Sequence, residues 1–256
     1  MGGGLGFPGV DTIDMLFTPR CKRRGVGGGI SVLIIFIQMN IEEEKIYYFQ
    51  EKILEWYQKN GRHFPWRNPS ASNYVKIISE VLLQRTKAET VSKFFPIFIH
   101  TYPSWKQLGN ATEVELQDFL RPLGLYNQRG SRLFKLAQEM KRRNGRFPQN
   151  RNAVEEIPMM GQYITNAYEL FILNKPSPLL DVNMARVLER YFGPRKLADI
   201  RYDPYLQALS RTVVEHQKSK EINWAILDYS AKICSDRKPS CNDCPFTKTC
   251  SYANNL

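Results

Sequence analysis

Apolar residues recur three or four positions apart along most of the chain from residue 41 onward. In the first such segment, Ile46, Phe49 and Ile53 follow this spacing until Asn60 and Gly61 end the run. Because an α-helix repeats every 3.6 residues, this spacing places the apolar side chains on one helical face, and glycine after the last periodic residue is typical of a helix end. We therefore predict an amphipathic helix that ends near residue 60.

The same periodicity predicts helices over most of the remaining sequence. Thr112 and Glu115 have the spacing of a capping box, which predicts a helix that begins there and ends before Pro122. Further helices are expected over residues 74–86, 88–100, 129–144, 163–173, 183–192, 204–218 and 222–233. No segment alternates with period two for long, so the sequence predicts an all-α fold.

Residues 1–40 differ from the rest in composition. Glycine-rich stretches flank a basic cluster around Cys21, and the apolar run Ile30–Ile37 follows. This run is far shorter than the roughly 20 residues that a membrane-spanning helix needs, and it lacks the small-residue cleavage site of a signal peptide. We interpret residues 1–40 as a disordered or misassigned extension, with Met39 as a natural start.

The charge balance indicates a polyanionic partner. The 256 residues include 36 Lys and Arg against 25 Asp and Glu, which gives a net charge of +11. Such an excess is typical of proteins that approach nucleic acids, although a basic protein without such a partner has the same composition. The hydrophobic fraction of 43% is high enough for a folded core in one or two domains.

Four cysteines near the end of the chain have the spacing of a metal site. Cys234, Cys241, Cys244 and Cys250 lie within seventeen residues. Disulfides are the alternative, but a chain of 256 residues is not a small secreted scaffold that needs them. Structural zinc sites usually pair two separated knuckles, whereas one tight pair flanked by single cysteines favours an iron–sulfur cluster. Cys21 has no partner implied by spacing.

A second motif lies upstream of these cysteines, in the segments 156–165 and 178–183, which read EIPMMGQYIT and PLLDVN. The motif resembles the helix-hairpin-helix base-excision glycosylases of the endonuclease III and MutY superfamily, and the resemblance covers residues 41–256. Members of that family carry a [4Fe-4S] cluster on cysteines with the same spacing. Two independent motifs in the right order make the resemblance specific.

The resemblance implies an all-α fold of two domains with a DNA cleft between them. A six-helix barrel domain containing the helix-hairpin-helix would span residues 63–175. A cluster domain would combine residues 41–62 and 176–256. The expected partner is double-stranded DNA with a mismatched or damaged base. We also expect a monomer without a membrane association, in the cytoplasm and on the nucleoid if the source is prokaryotic.

Within the hairpin, backbone N–H groups at Met160 and Gly161 are expected to meet a DNA phosphate, since the start of a helix binds anions without reading sequence. An ordinary helical hairpin is the alternative interpretation. The family usually has glycine where this chain has Met159, so only Gly161 of the usual pair remains.

Two carboxylates are candidates for catalysis. Asp181 has the position of a helix N-cap, but the resemblance implies that it stabilises positive charge on the deoxyribose and activates water, supported by Asn183. Glu80 lies in an apolar helical segment, where a lone glutamate normally faces solvent. The resemblance implies that it reaches the extruded base, and apolar surroundings would raise its pKa so that it could protonate that base.

Four further positions follow from the same resemblance. Gln84, Arg85 and Thr86 would face the gap that the extruded nucleotide leaves, with Arg85 bonding to the unpaired guanine. Tyr163 stands where bifunctional members carry the lysine that forms a Schiff base, which a phenol cannot do. The enzyme is therefore expected to break the glycosidic bond without strong lyase activity.

Trp66 and Arg67 resemble residues at the family's entrance to the base pocket, where they would stack on and frame the base. A core tryptophan with a surface arginine is the alternative interpretation.

The choice of base rests on smaller features. MutY proteins normally continue beyond the cluster into a second domain, whereas this sequence ends at Leu256. The segments 83–86 and 123–129 resemble the thymine branch more closely. We expect a glycosylase for thymine or uracil opposite guanine. The alternatives are a MutY-type adenine glycosylase acting opposite guanine or 8-oxoguanine, and a non-catalytic DNA-binding iron–sulfur module.

Overall fold

The computed structural model describes the backbone of Met1 and residues 28–255, and side chains from Glu43 to Asn255. Within these residues every regular element is helical, so the all-α prediction is confirmed. The α-helices are α1 (Gly28–Asn60), α2 (Asn73–Leu83), α3 (Ala88–Thr101), α4 (Trp105–Leu108), α5 (Glu113–Phe119), α6 (Tyr126–Arg142), α7 (Arg151–Glu155), α8 (Gln162–Phe171), α9 (Val182–Phe192), α10 (Pro204–Val214) and α11 (Ser219–Lys232). Four short 3₁₀ turns connect or follow these helices within the same residues.

The chain divides into two compact units, Met1–Glu43 and Glu44–Leu256. The first contains helical backbone from Gly28 onward. The expectation of a disordered or misassigned extension over residues 1–40, including Cys21, falls mainly outside the described residues and stays a prediction. No described helix has the length and the apolar character needed to cross a bilayer.

Local sequence signals account for most helix boundaries. Thr112 and Glu115 form the predicted reciprocal capping box at the start of α5, and α1 ends at Asn60 as expected. Helix α10 ends at Val214, four residues before the predicted end at Lys218. The reason is a local turn, in which the Lys218 N–H donates to Nδ1 of His216 over 2.9 Å.

Buried residues of the second unit form two hydrophobic clusters. The first draws its buried members from residues 66–168, and the second from residues 49–54 and 167–250. The two meet at α8, where Tyr163 in its first turn and Ile172 directly after its end pack against both. We predicted one domain at residues 63–175 and a second formed by residues 41–62 and 176–256, and this division stays a prediction. Helix α8, which contributes to both clusters, is the helix that presents Tyr163.

A buried ion-pair network connects the segment before α2 to α11. Asp228, which is fully buried, accepts hydrogen bonds from Arg62 Nε at 2.7 Å and from Arg67 Nη1 at 2.8 Å and Nη2 at 2.9 Å. These partners hold the pKa of Asp228 below its usual value despite burial, which by itself acts in the opposite direction. Losing one partner of such a pair leaves an uncompensated buried charge, so the network holds the segment before α2 against α11.

Candidate active site

Two cavities of about 300 and 1020 Å³ share one wall in the second unit. The shared wall contains all three predicted catalytic residues and several of the predicted base-binding residues. Its members are Glu80, Leu83, Gln84, Arg85, Met159, Tyr163 and Asp181. These residues come from α2 and the loop after it, from the loop before α8 and its first turn, and from the start of α9.

Glu80 lies on the last two turns of α2 and is only 4% exposed. Ser72 caps this helix by accepting the Val75 N–H, which fixes its start and therefore the face that Glu80 occupies. Burial raises the pKa of Glu80 to about 7, with a further upward contribution from Asp181, and hydrogen bonding from Tyr163 opposes the shift. The carboxyl is therefore protonated in a large fraction of molecules at neutral pH, as the sequence predicted.

Tyr163 stands in the first turn of α8 and points its hydroxyl at Glu80. The hydroxyl donates to Oε2 of Glu80 over 3.0 Å. Burial, together with the negative charges of Glu80 and Asp181, raises the pKa of Tyr163 well above its ordinary value, so the phenol stays neutral. Because a phenol carries no amine, Tyr163 cannot form a Schiff base with the sugar.

Asp181 has the helix N-cap position that the sequence allowed, and it also lies on the cavity wall. It is the N-cap of α9, and its Oδ1 accepts the N–H groups of Asn183 at 2.9 Å and Met184 at 2.8 Å. The Asn183 side-chain amide donates to Oδ2 over 2.7 Å, which is the supporting role expected of it. Burial raises the pKa of Asp181, and the three donated hydrogen bonds oppose that shift because they favour the ionised form.

Asn183 is itself held in place by Arg186. The Arg186 guanidinium donates to Oδ1 of Asn183 over 3.1 Å and to the Cys234 and Ser230 carbonyl oxygens. The carboxylate of Asp181 therefore has a fixed direction, since both of its oxygens are bonded to groups that are themselves anchored.

The hairpin before α8 presents free backbone donors. Gly161 is the N-cap of α8 and has no side chain to bond the first amides, and no acceptor within the described chain contacts the N–H groups of Gly161, Gln162 and Tyr163. A Cβ added to Gly161 would meet nothing within 4 Å. Unpaired N–H groups at a helix start bind anions, so this surface fits the predicted phosphate contact at Gly161.

The predicted contact at Met160 is wrong. The Met160 side chain is fully buried in the first hydrophobic cluster, and its N–H donates to the Ile157 carbonyl oxygen over 2.9 Å. Neither group is free for DNA. The Met160 N–H is engaged because the residues before α8 form a tight turn. The sequence motif alone did not show which of its residues form this turn and which present free N–H groups to a phosphate.

The loop after α2 carries Gln84, Arg85 and Thr86. Arg85 is exposed and forms no hydrogen bond or ion pair with any described residue, and its φ of 56° is in the left-handed region. Its guanidinium is free to act on a bound molecule, as predicted. The Gln84 side chain lines both cavities. The Thr86 hydroxyl is instead engaged within the protein, where it accepts from Arg129 Nη2 over 2.7 Å.

Arg129 was missed as a functional residue by sequence reasoning. Its buried guanidinium donates to the Leu82 carbonyl oxygen at 3.0 Å and to the Gln84 carbonyl oxygen at 3.1 Å, in addition to Thr86. It therefore caps the end of α2 and braces the loop that carries Arg85. The available signal was that Arg129 falls at an inward-facing position of α6, four residues after Leu125. Leu125 itself is 54% exposed and lines the smaller cavity.

Trp66 and Arg67 line the larger cavity but are occupied by protein contacts. Trp66 is 5% exposed and stacks on Phe64 with ring centroids 4.8 Å apart. Arg67 pairs with Asp228, so it is not a surface arginine. The structure therefore favours a core position for Trp66. Arg67 acts on the site through its charge, which lowers the pKa of Glu80 and so opposes the larger increase caused by burial.

The four described cysteines are free thiols. Cys234 Sγ lies 3.4 Å from Nη1 of Arg190, Cys250 Sγ lies 3.2 Å from the Arg190 carbonyl oxygen, and Cys244 Sγ lies 2.7 Å from the Tyr229 hydroxyl. Burial raises the pKa of the Cys234 and Cys241 thiols.

Four thiols are a donor set that an iron–sulfur cluster uses, and the predicted cluster stays a prediction. No three His, Cys, Asp or Glu side chains among the described residues are placed to hold one metal ion. A single zinc ion needs its sulfurs at about 2.3 Å from one centre, whereas a cubane offers each thiolate its own iron. The Arg190 guanidinium lies beside Cys234, where it would compensate part of the negative charge of thiolate ligands.

Comparison with known proteins agrees with this geometry. Residues 78–224 match the model of the HhH-GPD superfamily base excision DNA repair proteins. The chain belongs to this superfamily. The matched range contains Glu80, Tyr163 and Asp181, together with the hairpin that presents Gly161.

Similar proteins within the superfamily act on different bases. A protein of Aeropyrum pernix named thymine-DNA glycosylase is 34% identical over 220 residues, which cover 84% of this chain and 98% of that protein. An adenine DNA glycosylase of Buchnera aphidicola is 31% identical over 80% of this chain and 59% of its own length. The solved structure of a thermostable thymine-DNA glycosylase superposes with a TM-score of 0.77 at 32% identity, covering 84% of this chain and 99% of that one.

A more distant structure has the same fold. Endonuclease III in a trapped covalent complex with DNA gives a TM-score of 0.68 at 19% identity and covers 83% of this chain and 97% of its own.

Proposed function

We propose that the protein is a monofunctional DNA glycosylase that hydrolyses the N-glycosidic bond of thymine, or of uracil, opposite guanine in double-stranded DNA. The observation that carries the proposal is the placement of Glu80, Tyr163 and Asp181 on one cavity wall. Hydrolysis of a glycosidic bond uses a carboxylic acid and a carboxylate. Glu80 and Asp181 supply these two groups, and no amine nucleophile is placed among the three residues.

The reaction follows from these three positions. The base leaves the helix and enters the cavity beside Glu80, at a lower cost for a wobble pair than for a matched pair. As the bond between C1′ and the base nitrogen breaks, its electron pair goes to the base, and protonated Glu80 donates a proton or hydrogen bond to it. Asp181 stabilises the positive charge on the sugar and accepts a proton from water, whose oxygen bonds to C1′. The products are a free base and an abasic strand.

Arg85 supports recognition of the opposing guanine. Its guanidinium is exposed, has no partner within the described chain and lies on the wall of both cavities. Arginine donates two parallel hydrogen bonds to O6 and N7 of guanine, and O6 is the acceptor that the lost base pair leaves open, so the Arg85 guanidinium fits that edge of the unpaired base. Exposed Lys87 and Arg132 beside the cavities fit the nearby phosphates.

The pattern of duplexes cleaved tests this proposal. Labelled duplexes with T/G, U/G, A/G, A/8-oxoG or T/A pairs are incubated with the protein and then treated with or without alkali. We expect breaks at T/G and U/G only, and only after alkali. Breaks confined to adenine opposite guanine or 8-oxoguanine would identify a MutY-type specificity, breaks without alkali would contradict the monofunctional assignment, and binding without breaks would indicate a non-catalytic DNA-binding module.

We also propose that Cys234, Cys241, Cys244 and Cys250 hold a [4Fe-4S] cluster, which would supply a rigid loop for the cluster domain rather than the bond-breaking chemistry. Iron and acid-labile sulfide analysis of protein purified without oxygen should give about four of each per chain. Cys244→Ser should lower this iron content and weaken DNA binding. About one zinc per chain with no sulfide would contradict the assignment.

A further inference from the structure

Met159 occupies a backbone position that favours glycine. Ile157, Pro158, Met159 and Met160 form a tight turn that is closed by the hydrogen bond from the Met160 N–H to the Ile157 carbonyl oxygen. Proline in the second position and a φ of 68° at Met159 in the third are the features of a type II turn. The third position of that turn normally carries glycine or asparagine, because a Cβ is strained at positive φ.

The turn itself gives no reason for a methionine. Glycine would adopt the same φ without strain, whereas a residue with a Cβ is strained in this region. Backbone strain of this kind is retained where the surrounding site uses the residue. The explanation for Met159 must therefore lie in what its side chain touches.

The side chain of Met159 lies in the active site. It is half-buried, packs against the first hydrophobic cluster and lines both cavities together with Glu80, Tyr163 and Asp181. Met160, its neighbour, points into the core and is fully buried. Of the two consecutive methionines, only Met159 faces the space into which a base would be extruded.

We propose that Met159 is a specificity-determining residue that narrows the base pocket so that it receives a pyrimidine and excludes a purine. The inference rests on the proposed function and deepens it. Met159 lines the same cavity walls as Glu80 and Tyr163, so its thioether would reduce the volume left for a second purine ring, and its polarisable sulfur would pack against the ring of a pyrimidine. Selection by shape at a single side chain is worth about 10–200-fold.

Three substitutions separate pocket size from backbone strain. M159G removes both the side chain and the strain, M159A removes the side chain and keeps most of the strain, and M159L keeps the bulk and the strain. We measure single-turnover rates of base release from T/G and A/G duplexes, and we record the melting temperature and the duplex affinity of each variant.

The expected result is a change in the ratio of the two rates. M159G and M159A should release adenine at least about tenfold faster relative to thymine than the wild type does, whereas M159L should keep the wild-type ratio. M159G should fold at least as stably as M159A, so a folding defect cannot account for the shift. An unchanged ratio in M159G and M159A would overturn the inference, as would an equal shift in M159L. Failure of the proposed function would instead appear as inactivity of the wild-type protein on T/G.

Discussion

Asp181→Asn should lower the rate of thymine release from a T/G duplex by about 10³-fold without unfolding the protein. Removing the charge leaves the developing sugar cation without its stabilising carboxylate and the attacking water without a proton acceptor. Asparagine caps a helix nearly as well as aspartate, so the start of α9 should persist. Single-turnover rates at saturating enzyme, with the melting temperature and duplex affinity of the same samples, measure this effect.

Asp203→Asn is the matched control. Asp203 is the N-cap of α10 and accepts the Leu206 N–H over 2.7 Å, but it lines neither cavity. Its second oxygen, Oδ2, also accepts the Lys196 and Leu197 N–H groups, which an amide NH₂ cannot do. Its substitution should therefore lower stability and leave the rate of the folded enzyme close to the wild-type value. An Asp181→Asn protein that retained most of the wild-type rate would show that Asp181 is only a helix cap.

The second large effect is a dependence on pH that belongs to Glu80. The pKa of this carboxyl is raised to about 7, so the protonated fraction falls by about tenfold for each pH unit above that value. If the protonated form assists departure of the base, the rate should fall in parallel as the pH rises. Glu80→Gln should lower the maximal rate by about 10³-fold and remove this descending limb.

Tyr163→Phe gives an independent check on the same group. The Tyr163 hydroxyl donates to Glu80 and thereby lowers its pKa, so loss of the hydroxyl should move the descending limb to higher pH. A merely structural role for Tyr163 would change the rate at all pH values equally. If the limb persisted unchanged in Glu80→Gln, the titrating group would have to be a different one.

Local patterns in the sequence were sufficient for much of the fold. The capping box at Thr112 and the helix end at Asn60 depend on neighbours a few residues away, and the structure has both. The three catalytic candidates could be named because the segments that contain Glu80, Tyr163 and Asp181 resemble those of a known family.

The remaining features depend on contacts between distant parts of the chain. Arg129 braces Leu82 and Thr86 across more than 40 residues, and Asp228 binds Arg67 across 161. No periodicity records such pairs. The burial of Met160 and the positive φ of Met159 arise from a tight turn, so the motif placed both residues in the hairpin without showing that one faces the core and the other the pocket.

The measurement that tests the central claim most directly is chromatographic identification of the base that the wild-type protein releases from a T/G duplex at neutral pH. The account predicts free thymine in an amount equal to the abasic strands, with those strands intact until alkali is added. Release of adenine from an A/G duplex with none of thymine from T/G, or no release of any base under conditions in which the duplex is bound, would contradict it.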